Sequence, residues 1–269
     1  MIAVEEFKPS YWLQPYVVCF SKGYYNTAEK TGTSLQIVPN GCLELIIHLD
    51  DNHCNLQNDD TWSRTPSFML IGLLTSSCEV RFNEKVHVFG IRFKADTLFS
   101  LFGVPGSLIV QGHEDISELL GRDFEEFCNR LRDFRTSNEM VRFTEQYLLG
   151  VWNNRMVGED YVVRAARLLR NSDHIDIKSL SEKVAISQRQ LERKFRNVIG
   201  ISPKQYFRLL RINKVVQALQ SGTALDLTSV AYHCGYYDQA HFIKDFKLIT
   251  GIKPSLFSKG REDYIVIPA

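Results

Sequence analysis

The chain has 269 residues, 44% hydrophobic and 23% charged, which suits one or two globular domains. The sequence contains no apolar run that approaches the roughly 18 residues of a membrane span. Its first residues lack the basic and apolar segments of a signal peptide. We therefore expect a cytoplasmic protein with no membrane partner. Six cysteines without a CxxC pair favour reduced thiols over a disulfide framework or a zinc site.

The formal net charge of +1 is unevenly distributed along the chain. Residues 159–269 hold 18 Lys and Arg against 11 Asp and Glu, whereas residues 1–158 hold 14 against 20. A basic C-terminal part suits DNA, whose phosphates supply much of the affinity of a DNA-binding protein. An acidic N-terminal part should be repelled by the negative charge of DNA. The alternative explanation for this uneven charge is chance variation in surface charge. A second pattern that indicates DNA binding would argue against it.

The first 95 residues have the pattern of β structure. Short runs rich in β-branched and aromatic residues, bounded by turn residues, occupy residues 43–49, 68–74, 78–82 and 86–93. They predict a small antiparallel β barrel or sandwich. The polar residues 52–64 between two of these runs predict a long exposed loop.

After residue 95 the hydrophobic spacing becomes helical. It predicts a short helix over residues 96–102 that ends at Gly103 and an amphipathic helix over residues 115–134. A third helix carries an apolar stripe formed by Met140, Thr144, Tyr147, Leu148 and Val151. This stripe either packs on the protein's own β domain or pairs with a second subunit in a homodimer.

Residues 153–158 have the composition of an interdomain linker. We therefore expect an N-terminal sensing or dimerisation domain at residues 1–153 and a DNA-binding domain at residues 159–258. A C-terminal tail at residues 259–269 would follow. The predicted fold class is α+β, because the N-terminal domain combines an antiparallel sheet with helices and the C-terminal domain is all-α.

Residues 177–257 contain one helical pattern written twice. A shift of 51 positions aligns Ser187 with Asp238, Leu191 with Phe242, Phe195 with Phe246, Gly200 with Gly251 and Pro203 with Pro254. Ser187 followed by Gln190 predicts a capping box at the start of a helix. Gly235 followed by Asp238 predicts a turn and an N-cap in the second copy. Each copy therefore reads as two short helices joined by a tight turn.

The second helix of each copy carries a polar face opposite an apolar stripe. Its candidate DNA-binding residues are Ser187, Gln188, Arg189, Glu192, Arg193 and Arg196 in the first copy and Asp238, Gln239, His241, Lys244 and Lys247 in the second. Arg can bond guanine, Gln adenine and Glu cytosine, and an α-helix fits the major groove. We expect base contacts from Arg189, Glu192, Arg193, Gln239 and Lys244. The alternative is that these are ordinary solvated helix faces.

A connecting helix is predicted between the two copies. Ser202 is its N-cap candidate and Pro203 its first residue, and the pattern continues to Gln220. Its wide apolar face would pack on both units and join them rigidly. Two helix-turn-helix units held in this way can reach successive major-groove segments, about 34 Å apart on one side of B-DNA.

The segments Gly235-Tyr236-Tyr237-Asp238-Gln239-Ala240-His241-Phe242 and Gly251-Ile252-Lys253-Pro254 carry a family resemblance. With the first copy and the connecting helix, they resemble the C-terminal DNA-binding domain of the AraC/XylS family of bacterial transcription regulators. Ser181 and Ala185 depart from that family, which usually has Ala and Gly there. The resemblance implies binding to double-stranded promoter DNA, and contact with RNA polymerase if the protein is an activator.

A second resemblance covers about residues 9–152. The segments Pro39-Asn40-Gly41-Cys42-Leu43-Glu44-Leu45 and Val88-Phe89-Gly90-Ile91-Arg92-Phe93 resemble an uncharacterised sensor-like domain found on some AraC-type regulators. This resemblance implies a sensing or dimerising role without a known ligand.

Three residues of the β domain are candidates for binding a small-molecule effector: Glu44, His48 and Arg92. Strand alternation places Glu44 and His48 on one face, and Arg92 lies on one face of another strand. If both faces point inward, Glu44 and Arg92 are charges that need partners. They could pair as a structural bridge, or Arg92 could hold an acidic effector.

The sequence has no clear catalytic or metal-binding signature. His48, His53 and Cys54 are close together but lack a fourth ligand. We therefore expect no catalytic residue, no bound metal and no cofactor. The alternative to a regulator is a small β-domain enzyme fused to a DNA-binding tail. A buried apolar pocket would favour sensing, whereas a metal or an activated nucleophile would favour catalysis.

Overall fold

The computed structural model describes residues 2–26, 34–58, 61–82, 84–110, 112–154, 160–220, 227–257 and 264–265. An N-terminal domain of strands and helices is followed by a helical C-terminal domain, which confirms the predicted fold class. Within the described ranges, no helix is both long enough and apolar enough to cross a membrane.

Two β-sheets form the N-terminal domain. Their strands are β1 (Ile2–Phe7), β2 (Val17–Tyr25), β3 (Ser34–Ile37), β4 (Cys42–His48), β5 (Asn55–Asn58), β6 (Thr61–Arg64), β7 (Phe68–Ile71), β8 (Cys78–Arg81), β9 (Val86–Lys94), β10 (His113–Asp115) and β11 (Tyr264–Ile265). One sheet has the order β1-β2-β9-β4-β7-β10 and the other β11-β3-β8-β5-β6. These strands pair antiparallel, except that β11 pairs parallel with β3.

The central strands of the larger sheet have buried residues on both faces. Leu45 and Ile91 belong to the core that this sheet shares with the helices. Met69 and Val88 point the other way and form a second core with residues of the smaller sheet, such as Val80. Because successive strand residues alternate between faces, the side that carries Val88 also carries the polar candidates of the β domain.

The prediction of a long loop over residues 52–64 is wrong. Strand β5 pairs with both β6 and β8, and Leu56 is buried between the sheets. The guanidinium of Arg81 lies 3.8 Å from the centre of the Trp62 ring, which covers the exposed side of the hairpin. Mostly polar residues form strands here because an edge hairpin needs few inward apolar side chains.

Three helices follow the β-strands: α1 (Ile116–Leu120), α2 (Arg122–Arg132) and α3 (Ser137–Asn154). The single helix predicted over residues 115–134 is divided at Gly121, whose φ of +78° ends α1. Glycine adopts this left-handed region without a steric penalty. The predicted helix near residue 100 is the short π-helical segment Leu98–Phe102, which ends at Gly103 with a φ of +75°.

Helix α3 packs on its own subunit. Met140, Thr144 and Leu148 are buried, and the Tyr147 ring stacks on Phe127 with 4.1 Å between ring centres. Of the two expectations for this stripe, burial within the chain is the one observed. Tyr147 and Val151 are only partly buried, and pairing of this stripe with a second subunit stays a prediction.

The described residues of the C-terminal domain form seven helices: α4 (Tyr161–Arg170), α5 (Ile177–Lys183), α6 (Gln188–Ile199), α7 (Pro203–Gln220), α8 (Leu227–His233), α9 (Gln239–Thr250) and α10 (Pro254–Phe257). The bounds of α7 are those predicted for the connecting helix. The predicted linker begins within α3, and residues 155–158 lie outside the described residues. Of the tail at residues 259–269, only β11 is described.

The two parts of the chain pack against each other through one continuous core. Where the two parts meet, Arg170 of α4 places Nη1 2.5 Å from Oδ1 of Asp96 and 3.3 Å from the hydroxyl of Tyr206 in α7. Burial raises the pKa of Tyr206 to about 12, so its hydroxyl stays protonated. This cluster joins the N-terminal domain to α4 and α7 of the C-terminal domain.

Candidate nucleic-acid interface

Helices α5 and α6 form the first helix-turn-helix unit. The backbone N–H of Gln190 donates to Oγ of Ser187 at 3.3 Å, and the N–H of Ser187 donates to Oε1 of Gln190 at 3.2 Å. These two bonds are the capping box predicted at the start of α6. Leu191 and Phe195 are fully buried, so the opposite side of the helix must face outwards.

The outward face of α6 carries all six residues predicted for this unit. Those exposed residues are Ser187, Gln188, Arg189, Glu192, Arg193 and Arg196. Ser187 also caps the helix, so its hydroxyl is already engaged in holding the first turn. The other five side chains are presented to solvent by a helix whose packing fixes their direction.

Helices α8 and α9 form the second unit. Gly235 has a φ of +80° in the turn, and Oδ1 of Asp238 accepts a hydrogen bond of 2.7 Å from the N–H of His241. Phe242 and Phe246 are fully buried. The turn and the N-cap therefore lie where the repeat predicts them, and α9 corresponds to α6.

The predicted residues of the second unit are also exposed: Asp238, Gln239, His241, Lys244 and Lys247. Ala240 and Ile243 share the outward face of α9. This face therefore offers fewer hydrogen-bonding groups than that of α6, and Asp238 is partly committed to its cap.

Sequence reasoning missed a charge cluster behind α9. The side chain of Asp245 is buried, and its Oδ1 lies 2.5 Å from Nη2 of Arg208 in α7. Nη2 of Arg211 and the hydroxyl of Tyr236 lie 3.8 and 3.4 Å from its Oδ2. The available signal was an acidic residue directly before Phe246 of the apolar stripe.

Glu44 and Arg92 pair with each other in the interior of the β domain. Nε of Arg92 lies 2.5 Å from Oε1 of Glu44, which also accepts a 3.1 Å bond from Nδ2 of Asn40. Burial alone would lower the pKa of Arg92, but the Glu44 carboxylate more than offsets it and the pKa is raised. The pair is the structural bridge that the first alternative expects.

His48 is the last residue of β4, the strand that also carries Glu44. Its Nε2 is 3.1 Å from Oγ1 of Thr65, and its ring stacks on His53 with 4.4 Å between centres. Burial lowers the pKa of His48 to about 4, so the imidazole is neutral at pH 7. Among the residues that the structure describes, no group of three His, Cys, Asp or Glu could hold a metal ion.

A cavity of about 290 Å³ opens at another part of the β domain. Gln36, Gln57, Glu79 and His113 line it with polar groups, and Leu56, Ile71 and Leu74 supply apolar surface. None of Glu44, His48 and Arg92 lines this cavity. The residues predicted from the sequence and the open space are therefore separate features of the domain.

Comparison with known families covers both parts of the chain. Residues 180–260 match the family described as a helix-turn-helix domain. Residues 5–115 match a domain of unknown function, DUF6597. The first match spans both units and α7, and the second spans the two sheets through β10.

RhaS and GbdR are among the curated proteins that are similar to part of this chain. The HTH-type transcriptional activator RhaS of Escherichia coli O157:H7 is 28% identical over 94 residues, which are 35% of this chain and 34% of RhaS. The HTH-type transcriptional regulator GbdR of Pseudomonas aeruginosa strain UCBPP-PA14 is 31% identical over 120 residues, which are 45% of this chain and 31% of GbdR. The matches therefore span about a third of each relative.

A solved structure shares the arrangement of both parts. ToxT from Vibrio cholerae superposes with a TM-score of 0.52 at 12% identity, over 89% of this chain and 98% of ToxT. At this identity the likeness concerns the fold alone. The chain thus carries a helix-turn-helix domain of the AraC type at residues 180–260, preceded at residues 5–115 by the domain of unknown function.

Proposed function

We propose that this protein is a sequence-specific DNA-binding transcription regulator. It binds promoter DNA by inserting α6 and α9 into successive segments of the major groove. The observation that carries this proposal is the repeated unit: both second helices are packed on an apolar side and expose their predicted polar side. The basic charge of residues 159–269 adds the electrostatic attraction that DNA binding needs.

The two relatives support the same function. RhaS is named a transcriptional activator and GbdR a transcriptional regulator, and each is similar to part of this chain. If this protein is an activator, RNA polymerase is its further partner. Because bacterial promoter DNA lies in the cytoplasm, we propose that the protein acts in that compartment. The proposed activity consists of binding, and it requires no catalytic residue, metal or cofactor.

The N-terminal domain is suited to control because it contacts both reading helices. A Cβ on Gly106 would lie 2.7 Å from the carbonyl oxygen of Val198 in α6. The N–H of Ser77 donates to the carbonyl oxygen of Ile249 in α9 at 2.8 Å. A change in the position of either loop would therefore be transmitted directly to a helix that faces DNA.

The 290 Å³ cavity is the place where a small-molecule effector would act most directly. Gln36 and Ser77 line it, and both also approach Gly251 at the end of α9. A ligand there would touch the residues that support the second unit. This assignment moves the proposed effector site away from Glu44 and Arg92, which occupy each other. Assembly into a homodimer is the alternative means by which this domain would exert control.

Selection from a pool of randomised duplex DNA with the purified full-length chain tests the function. We expect enrichment of a motif with two parts separated by about one helical turn, 10–10.5 base pairs from centre to centre. Affinity for the enriched duplex should fall steeply as salt rises, because bound phosphates release counterions. Recovery of random sequences after repeated rounds, with no enriched motif, would contradict sequence-specific binding.

A further inference from the structure

Asp245 is a carboxylate on a reading helix that does not face DNA. It is 3% exposed and points from α9 towards the connecting helix α7. A buried carboxylate is costly unless its charge is matched and hydrogen-bonded. Here Arg208 provides the short contact, 2.5 Å from Nη2 to Oδ1, and Arg211 provides a second cation. The carboxylate therefore fixes α9 on two side chains of α7.

Arg211 is itself held in place by aromatic rings. Its guanidinium carbon lies 4.3 Å from the centre of the Tyr236 ring and 5.5 Å from that of Phe207. Nη1 of Arg211 also donates to the carbonyl oxygen of Gly235 in the turn of the second unit at 3.1 Å. Arg211 of α7 thus contacts both the turn, through Gly235, and α9, through Asp245.

The first unit is attached to α7 in a different way. The shift of 51 positions places Lys194 where the second unit has Asp245. On this side, Phe195 of α6 packs against Tyr206 of α7 with 5.8 Å between ring centres. The contacts of Asp245 with Arg208 and Arg211, which we call the acidic clamp, therefore have no counterpart at the equivalent position of the first unit. They determine the position of α9 relative to α7.

An open groove separates the second unit from the start of the first unit. A groove of about 670 Å³ lies between Ile175 at the start of the first unit and Lys244 and Leu248 of α9. Phe207, Arg208 and Arg211 of α7 line it as well. Because this groove is open, the distance between the two reading helices depends on how each is fixed to α7.

We infer that Asp245 is a positioning residue, which sets the half-site spacing that the protein accepts through its contacts with Arg208 and Arg211. This inference rests on the proposed function, since it concerns how the two units read one duplex. Loss of the clamp should leave the first unit's reading unchanged, and it should let α9 adopt several positions relative to α6.

The test uses the full-length chain and duplexes built from the motif that the wild type enriches. In three probes, the two half-motifs are kept at the selected spacing, moved apart by one base pair or moved together by one base pair. The variants are Asp245→Asn, which removes the charge but keeps the shape, and Glu182→Gln as matched control. Glu182 is exposed on α5, and its substitution changes the net charge equally without touching the clamp.

We expect the wild type and Glu182→Gln to lose about tenfold in affinity when the spacing changes, comparable to the loss of a base contact. Asp245→Asn should lose less than about threefold between the same probes and should keep the preference for the first half-motif. Arg208→Lys retains the charge and most of the length, and it should give an intermediate result. If Asp245→Asn does not fold, the Arg208→Lys measurement decides.

The inference would be overturned if Asp245→Asn lost as much affinity as the wild type when the spacing changes, even if its melting temperature fell. If Asp245→Asn does not fold, the same result for Arg208→Lys would overturn it. A merely structural role would lower stability without changing the preferred spacing. Failure of the wild type to enrich any motif would instead contradict the proposed function, so the two failures can be told apart.

Discussion

Arg92 and Glu44 lie directly opposite each other on β9 and β4, with Nε of Arg92 2.5 Å from Oε1 of Glu44 and both side chains buried. Replacement of Arg92 by Met would leave the Glu44 carboxylate without its cation in the interior of the domain. We expect the free energy of unfolding to fall by about 3–5 kcal/mol, measured by urea denaturation at pH 7.

The double variant Arg92→Met with Glu44→Gln provides the control. It removes both charges and leaves an amide that can still bond to Asn40, so it should recover most of the lost stability. An Arg92→Met protein that melts like the wild type would contradict the structural bridge. It would also favour the alternative in which Arg92 holds an acidic effector, if its response to effector were lost.

A second prediction concerns pH, because His48 is fully buried and its pKa is lowered from 6.5 to about 4. Between these two values the unfolded chain binds a proton at His48 that the folded protein does not bind. The stability that the neutral imidazole provides is present above pH 6.5 and is lost as pH falls towards 4. We expect a loss of about 2 kcal/mol between pH 7 and pH 5.

Urea denaturation at several pH values would measure this loss. His48→Gln keeps a side-chain N–H near Thr65 and cannot take up the proton, so its stability should vary less over the same range. His174→Gln is the matched control, since it makes the same substitution at an exposed histidine. An unchanged slope in His48→Gln would assign the titration to another group.

Local signals determined what could be predicted of the fold. The capping box of Ser187 and Gln190, the turn at Gly235 and the bounds of α7 depend on residues within one or two helical turns of each other. The exposed faces of α6 and α9 follow from the same periodicity. For this reason the sequence predicts which side chains these two helices expose, whereas their contact with DNA stays a prediction.

Features that depend on distant residues were missed. The Asp96–Arg170 contact joins positions 74 residues apart, and no periodic pattern indicates it. Asp245 contacts Arg208 of α7, and no pattern within α9 indicates that contact. The β5–β6 hairpin was overlooked since its pairing with β8 supplies the stability that its polar sequence does not suggest.

The contact between Gly106 and α6 gives a third prediction. A Cβ at position 106 would lie 2.7 Å from the carbonyl oxygen of Val198 and 2.9 Å from the carbonyl carbon of Ile199, so the backbone itself must move. We expect Gly106→Ala to destabilise the protein by about 1–3 kcal/mol. Because we propose that α6 reads DNA, affinity for the selected duplex should change in the same variant.

Gly150→Ala is the matched control for this substitution. Gly150 is exposed within α3, and an added Cβ would meet nothing within 4 Å. It should raise stability by about 0.5–1 kcal/mol through the better helix propensity of Ala, with DNA affinity unchanged. Equal melting temperatures and equal affinities for Gly106→Ala and the wild type would show that this contact adapts without consequence.

The last prediction concerns Arg193, which is exposed on α6 opposite the buried Leu191 and Phe195. If its guanidinium bonds a base edge, Arg193→Ala should weaken binding to the selected duplex by about 1–3 kcal/mol and relax the preference at one position. Binding to unrelated DNA should change much less. Lys178→Ala, which removes an exposed charge from α5, should leave the sequence preference intact.

Selection from the randomised pool with each variant would measure the preference, and titrations at several salt concentrations would measure the affinities. A base contact changes specificity, whereas a phosphate contact weakens all duplexes alike and reduces the slope of log K against log salt by about 1. If Arg193→Ala weakens selected and unrelated duplexes equally, Arg193 holds a phosphate. Base reading by the first unit would then have to come from Arg189 and Glu192, which share the exposed face of α6.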